Sequence, residues 1–286
     1  MQITKDNLTI VIVTIKSDEV IEKCLDSIDP EVKKIIVENS SNENFIKKLK
    51  SNYKNIDFYI SGKNLGMGAG NNIGIKKSKT RYVMILNPDA VLRVDTLDQI
   101  YKGSKMLDFA ILSPISDNIN YPNFKINKKK DNLKKDLLEV DQVDGYSMII
   151  DKLKFNDNYF DENIFMYLEN DDLCLRTKKN GKKIYIYSNS LISHLGARAV
   201  DEKYSEELQF SRNWHWSWSR YYYKKKHFGF LNAFVFGLLV FIISIPKSIF
   251  YFVINNKLKS KLYYLRASGF INALLNKRSW FRPRLD

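Results

Sequence analysis

Arg81-Tyr82-Val83-Met84-Ile85-Leu86-Asn87-Pro88-Asp89-Ala90 is the stretch that decides the fold. Tyr82 to Leu86 is an unbroken apolar run, which is how a parallel strand buried on both faces reads. Pro88 has no amide hydrogen and a fixed φ, so the strand must stop there. Asp89 is thereby presented at the strand's carboxyl end, the edge of an open α/β sheet where ligands bind. A carboxylate there can hold a hard cation such as Mg2+, which keeps waters and takes phosphate oxygens. The plain alternative is an ordinary Pro-Asp turn after a strand, and the flanking segments must decide between the two.

Working outward, Leu8–Thr14 and Lys33–Glu38 are two further short β-branched runs. Between them Val20, Ile21, Cys24, Leu25 and Ile28 recur at helical spacing, so strand, helix and strand form a βαβ unit. A third strand is predicted over Ile56–Ile60, followed by a glycine-rich stretch from Ser61 to Gly74, a helix to about Lys79, and the strand that ends at Asp89. The pattern predicts an α/β fold with a doubly wound, mostly parallel sheet. Gly66, Gly68 and Gly70 have the wrong spacing for a dinucleotide fingerprint, and no Lys-Ser/Thr follows as in a Walker loop. The stretch reads either as a loop whose backbone passes close to a ligand or as a flexible turn with a small-residue helix start.

The net charge of +14 is unevenly placed along the 286 residues. Residues 203–286 carry 15 Lys/Arg against 3 Asp/Glu, whereas residues 1–202 are within two charges of neutral. Two domains are expected on this basis, 1–202 and 203–286, the second meeting an anionic partner such as a membrane surface. The apolar fraction of 44% argues against disorder. Cys24 and Cys174 have no metal-type spacing and read as free thiols of a cytosolic protein. The start at Met1 lacks a basic region followed by an apolar one, so no secretory signal is expected. Residues 120–140, rich in Lys and Asn, read as an exposed insertion, with order resuming at Val143-Asp144-Gly145-Tyr146.

A second signal is the acidic run Glu169-Asn170-Asp171-Asp172-Leu173-Cys174-Leu175-Arg176. Crowded carboxylates favour a helix N-terminus, where the dipole welcomes them. The alternative is that one of them is a general base. Arg176 lies four residues after Asp172, the spacing of a helical ion pair.

Taken together, these motifs resemble the family 2 glycosyltransferases of GT-A fold, especially the bacterial rhamnosyltransferase-like branch. The resemblance is carried by Ile12–Lys16, Val37-Glu38-Asn39-Ser40-Ser41, the Asn64–Gly74 run, Leu86-Asn87-Pro88-Asp89-Ala90, Phe160–Arg176 and His194, in that order. It implies that Thr14, Glu38, Asn64, Gly66, Asn71, Asn87 and Asp89 surround a nucleoside diphosphate sugar. It further implies that Asp89 and His194 approach a Mg2+ or Mn2+ ion. His194 taken alone would read as a structural histidine. Two positions depart from the family pattern: Glu38 stands where an Asp is usual, and Asn170 stands in the place of the Asp taken as the base. An amide accepts no proton, so Glu169 is the preferred base and Asp171 the alternative; failing both, the chain is a silent member that binds sugar nucleotide or lipid beside a partner enzyme.

Phe228 to Pro246 is 19 residues without a charge, close to the ~20 that span a bilayer. A single span would place the basic residues of 257–286 outside, against the positive-inside tendency. The preferred expectation is a helical region lying in or dipping into the cytoplasmic face, broken at Pro246, with the Trp/Tyr cluster of 214–223 at headgroup level. A true span and a core or dimer helix are the other readings, the last leaving homo-oligomer formation open. Basic residues near an anionic surface contribute roughly 1 kcal/mol each. Nucleic acid is not expected as a partner, because no nucleic-acid motif accompanies the charge. The expected activity is inverting transfer of a sugar, such as rhamnose, to a lipid-linked or polysaccharide acceptor of surface glycan synthesis, at the cytoplasmic face of the cell membrane.

Overall fold

The fold is described from a computed structural model for residues 2–105, 107–126, 136–196 and 199–285. In chain order the strands are β1 (Leu8–Thr14), β2 (Lys33–Glu38), β3 (Ile56–Ile60), β4 (Tyr82–Leu86), β5 (Ala90–Leu92), β6 (Ile111–Ser116), β7 (Phe124–Lys125), β8 (Leu137–Glu139), β9 (Gln142–Val143), β10 (Ser147–Asp151) and β11 (Ile184–His194). The α-helices are α1 (Ile21–Asp26), α2 (Glu43–Asn52), α3 (Met67–Lys77), α4 (Thr96–Ser104), α5 (Glu169–Lys179), α6 (Ser205–Phe228), α7 (Phe230–Val253) and α8 (Lys257–Leu274). The described chain divides into two compact units, one of residues 1–161 and 170–201, the other of residues 162–169 and 202–286.

In the first unit the strands run in the order β3-β2-β1-β4-β10-β6-β11-β5, with β8 beside β11. β3, β2, β1 and β4 are parallel, as the βαβ pattern requires. Beyond β4 the sheet becomes mixed, since β10 is antiparallel to both β4 and β6 while β6 and β11 are parallel. The apolar run at 82–86 is central: Tyr82, Met84 and Leu86 enter the core on one face, and Val83 and Ile85 the core on the other. Successive side chains alternate faces, so only a strand covered on both sides can be apolar throughout. Each such Val, Ile or Leu contributes about 1.5–3 kcal/mol on burial. Arg81 fixes the entry of β4 with a two-pronged bond to the buried Asp151 at the end of β10, Nε to Oδ1 at 2.9 Å and Nη2 to Oδ2 at 2.6 Å.

The glycine-rich stretch is mostly helix, since α3 already begins at Met67. A Cβ on Gly70 would lie 2.8 Å from Val13 Cγ1, and one on Gly74 2.3 Å from Val11 Cγ1. These two glycines therefore let α3 lie directly on β1. Gly66, with φ 86°, makes the turn into the helix. Of the Lys/Asn-rich insertion at 120–140, residues 127–135 lie outside the described residues, and its flanks form β7 and β8.

The second unit packs α6, α7 and α8 around Phe210, Trp214, Trp218, Tyr221 and Phe270. Of the Trp/Tyr cluster at 214–223, Trp214, Trp218 and Tyr221 are buried while Trp216 stays exposed. Trp214 and Trp218 are core residues, and Trp218 Nε1 donates to the Lys277 carbonyl at 3.0 Å. The expected break at Pro246 is corrected, because α7 runs through it to Val253. Contacts with α8 hold the helix on both sides of the proline. Phe241 meets Phe270 before it, and after it the Ser248 and Ser260 hydroxyls donate to each other's carbonyls at 2.9 Å. Buried His215 is also structural. Its Nε2 donates to the Phe281 carbonyl at 2.7 Å, and burial pulls the imidazole down to about 3, so it stays neutral.

Candidate active site

Strand pairing alone brings Asp89 to His194. β5 and β11 are antiparallel with Ala90 opposite His194, and the Leu195 amide donates to the Asp89 carbonyl at 3.0 Å. His194 Nε2 then lies 3.3 Å from Oδ1 of the buried Asp89, outside hydrogen-bond geometry. The imidazole is clamped by Tyr146, whose ring stacks on it at 4.1 Å and 4°. Tyr146 also ties this corner to β4, because its carbonyl accepts from the Asn87 amide at 2.9 Å.

Two donor atoms at ~2.1 Å from one octahedral ion, at right angles, would stand about 3 Å apart. The carboxylate and imidazole therefore suit a Mg2+ or Mn2+ ion that takes its remaining ligands from water and substrate phosphate. No group of three or more His, Cys, Asp or Glu side chains is set to hold a metal among the described residues.

The residues expected at the nucleotide end stand at the carboxyl ends of β1 and β2 and in the turn into α3. Thr14 is fully buried at the carboxyl end of β1, and its Oγ1 has no hydrogen-bond partner among the described residues. The Glu38 carboxylate accepts from the Ser40 amide at 3.0 Å, the Ser40 hydroxyl at 2.6 Å and the Asn42 amide at 3.1 Å. Its extra methylene thus serves the turn into α2, which Asn42 then caps. Asn39 carries the link to the glycine turn: its Oδ1 accepts from the Leu65 amide at 3.1 Å, and its Nδ2 donates to the Gly66 carbonyl at 3.2 Å and to Asn64 Oδ1 at 3.4 Å. Asn64 Oδ1 also accepts from the Gly66 amide at 3.1 Å. Asn71 is buried on α3, and its neighbour Asn72 brackets Phe160 by accepting from its amide and donating to its carbonyl.

The acidic run opens α5. Asp172 and Arg176 form the expected i,i+4 pair at 2.8 Å, and Arg176 also donates to the Asn158 and Tyr159 carbonyls. With Asp172 fully buried, this pair is structural. Asn170 Nδ2 donates to the Val143 carbonyl at 3.0 Å, so the amide in the base's position is a tether to β9. Asp171 is half-buried, and burial raises its carboxyl above the usual range against the opposing pull of Lys125. Burial likewise raises Asp144, which the negative charge of Asp171 pushes further and His194 opposes. Asp144 therefore links the acidic helix electrostatically to the Asp89 and His194 corner. Glu169 is buried and belongs to the second unit, the boundary falling between it and Asn170.

Asn39, Asp144 and Tyr146 were not singled out by sequence. The signal for Asn39 was its place inside Val37–Ser41; for the other two it was an Asp-Gly-aromatic step directly after a strand.

An α/β sheet with a carboxylate after β4 and a histidine returning beside it on β11 has the GT-A fold. The chain belongs to the glycosyl transferase family 2, whose model matches residues 9–188. It is 27% identical over 204 residues to the low-salt glycan biosynthesis hexosyltransferase Agl10 of Haloferax volcanii, covering 63% of this chain and 64% of that protein. It is 29% identical over 211 residues to the rhamnosyltransferase WbbL of Escherichia coli K12, covering 62% and 78%. The matched region thus spans less than two thirds of the Haloferax relative. Among solved structures, the mannosyltransferase PcManGT from Pyrobaculum calidifontis in complex with GDP-Man and Mn2+ has a TM-score of 0.57 at 11% identity, over 95% of this chain and 88% of that one.

Proposed function

We propose that this protein moves rhamnose or another hexose from a nucleoside diphosphate to a lipid-linked glycan acceptor, with inversion, at the cytoplasmic face of a membrane. The observation that carries the reading is the buried Asp89 carboxylate with half-buried His194 Nε2 3.3 Å from it at the sheet's ligand edge, a spacing that would suit two ligands of one cation. A Mg2+ or Mn2+ ion held there would offset the charge of the departing diphosphate. Thr14 Oγ1 and the Asn39, Asn64 and Gly66 turn would position the nucleotide. The acceptor hydroxyl attacks the anomeric carbon as the bond to the diphosphate breaks, and a carboxylate takes the hydroxyl proton.

For that proton we favour Asp171 over the sequence-based choice of Glu169. Asp171 is the more accessible of the two, has its proton affinity raised by burial, and shares its electrostatic surroundings with Asp144 and, through it, His194. The membrane placement is supported by α7, long and apolar enough to cross a bilayer and only 17% buried over its most apolar stretch.

Transfer from a panel of nucleotide sugars to a lipid-linked acceptor, with full-length protein, tests this. Asp171→Asn should lower turnover by about 10²–10⁴-fold with donor affinity little changed, the usual effect of removing a general base. Loss on Glu169→Gln with Asp171→Asn active returns the role to Glu169. No transfer by wild type, with sugar nucleotide still bound, supports a silent member whose Asn170 replaces the base.

A further inference from the structure

The helical unit contains a cavity of about 430 Å³ between the last turns of α6 and the end of α8. Its wall carries Lys225 and Lys226 from α6 and Lys277 and Arg278 from the segment after α8, with Trp218 and Tyr222 supplying an apolar side. Among the described residues its lining holds no acidic side chain, Glu162 standing one residue before the lining Asn163. The acidic residues of α6, Glu206 and Glu207, are in its first turn. That is about 27 Å along the axis from Lys225 at 1.5 Å per residue, beyond the ~10 Å over which salt lets charges act.

Cations in the last turn of a helix complement its dipole, which accounts for Lys225 and Lys226 alone. It does not account for Lys277 and Arg278, about 50 residues later in sequence and past the end of α8. The Lys277 carbonyl accepts from Trp218 Nε1 at 3.0 Å, which fixes this segment against α6. Lys225 Nζ is held toward the rim by Asn276 Oδ1 at 2.6 Å. Lys225, Lys277 and Arg278 around one small cavity match a phosphate carrying about two charges better than a phosphodiester carrying one.

The neighbouring surface says what bears that phosphate. α7 leaves Phe230, Leu231, Val235, Leu239, Ile242 and Ile243 exposed. A second groove, on Lys224 and Phe228 of α6 and the first turns of α7, is apolar apart from Lys224 and Asn232. A soluble phosphate has no use for such a surface; a lipid tail does. We propose that the cavity between α6 and α8 is a recognition site for the terminal phosphate or diphosphate of a lipid whose chain lies along α7. The proposal rests on the membrane reading above and gives it a headgroup chemistry. Asn163 also lines the cavity and donates to the Tyr222 hydroxyl at 3.3 Å, so a bound headgroup would touch the 162–169 segment that leads into Glu169.

The test is flotation of the full chain with three kinds of vesicle: phosphatidylcholine alone, phosphatidylcholine with phosphatidylglycerol, and phosphatidylcholine with a polyprenyl monophosphate at matched charge. Wild type should prefer the polyprenyl phosphate vesicles over the phosphatidylglycerol ones by about tenfold. Combined Lys225→Gln, Lys277→Gln and Arg278→Gln should abolish that preference. A control with the same charge removed elsewhere, Lys247→Gln, Lys257→Gln and Lys259→Gln, should weaken all anionic binding but keep the preference. Circular dichroism verifies that both variants fold. Flotation without preference, or equal loss of preference in both variants, overturns the proposal while leaving the membrane reading intact. No flotation with any vesicle overturns both. Inorganic phosphate or pyrophosphate displacing the protein from the polyprenyl phosphate vesicles at concentrations near those of the lipid would show a soluble-anion site and overturn it too.

Discussion

The two units bury their apolar residues by opposite strategies. In the sheet unit the apolar residues of β1 and β4 go inward on both faces, and what stands at the strand ends is polar and chemical: Thr14, Asp89 and His194. In the helical unit the aromatic residues of α6 make the core while α7 keeps large apolar side chains outside. The difference teaches that aromatic content and apolar length are separate signals. Trp214 and Trp218 are core residues, and the membrane candidate is the aliphatic and Phe-rich helix beside them.

Arg176 offers the largest way to break the comparison. Arg176→Met would leave Asp172 charged, buried and without its ion pair, so the sheet unit should lose about 3–5 kcal/mol, read as a lower urea midpoint. An effect under ~1 kcal/mol would mean that the acidic helix is not anchored as described. Ile242→Arg probes the other unit, because Ile242 is exposed on α7. Its fold in detergent should change by no more than about 0.5 kcal/mol, whereas a charge at a helix centre in a bilayer costs about 2.5–3.5 kcal/mol. The protein should therefore shift from the membrane to the soluble fraction while melting normally. Unchanged partitioning would make α7 a surface for another protein.

Gly74→Ala and Gly237→Ala sharpen the contrast by placing the same methyl in each unit. The added Cβ would stand 2.3 Å from Val11 Cγ1 or 2.1 Å from Phe270 Cε2. Helix propensity gains about 1 kcal/mol, but overpacking costs about 1–3 kcal/mol. Each variant should be destabilised by up to about 2 kcal/mol on balance, contrary to what Gly→Ala in an open helix does. Either variant being more stable than wild type would refute the close approach at that position.

The smallest expected effect is at Asp171. Burial raises its carboxyl, so the folded protein binds that proton more tightly than the unfolded chain does. Stability from this group is present in acid and is lost as pH rises from the ordinary carboxylate range, about 4, through the raised value. Asp171→Asn should therefore raise the melting temperature slightly near about pH 7 and leave it unchanged near about pH 3, while removing transfer. A variant less stable at neutral pH would show that Asp171 is a structural residue.

The β4 segment was legible because burial on both faces leaves a continuous apolar run and Pro88 marks its end. The Asp172 and Arg176 pair was legible because both residues lie on one helix. Harder to read were features set by contacts distant in sequence. The glycines of α3 are explained by Val11 and Val13 of β1, residues far upstream. Residues 162–169 leave the sheet unit because Phe165 packs on His215 and the Met166 carbonyl accepts from the Ser219 hydroxyl, with Tyr167 and Leu168 at φ 67° and 69°. No local pattern announces that detour. Asp144 and Tyr146 flank Gly145, and only the sheet order brings Tyr146 onto His194.

Asp89 and His194, on the proposal above, form a metal-dependent diphosphate site. Titration calorimetry of the full-length protein with UDP, GDP and dTDP, each with and without Mn2+, tests it most directly. The account predicts that at least one diphosphate binds wild type only when Mn2+ is present, and that Asp89→Asn, folded by circular dichroism, loses that binding. Metal-independent binding by wild type, or Mn2+-dependent affinity unchanged in Asp89→Asn, would contradict it.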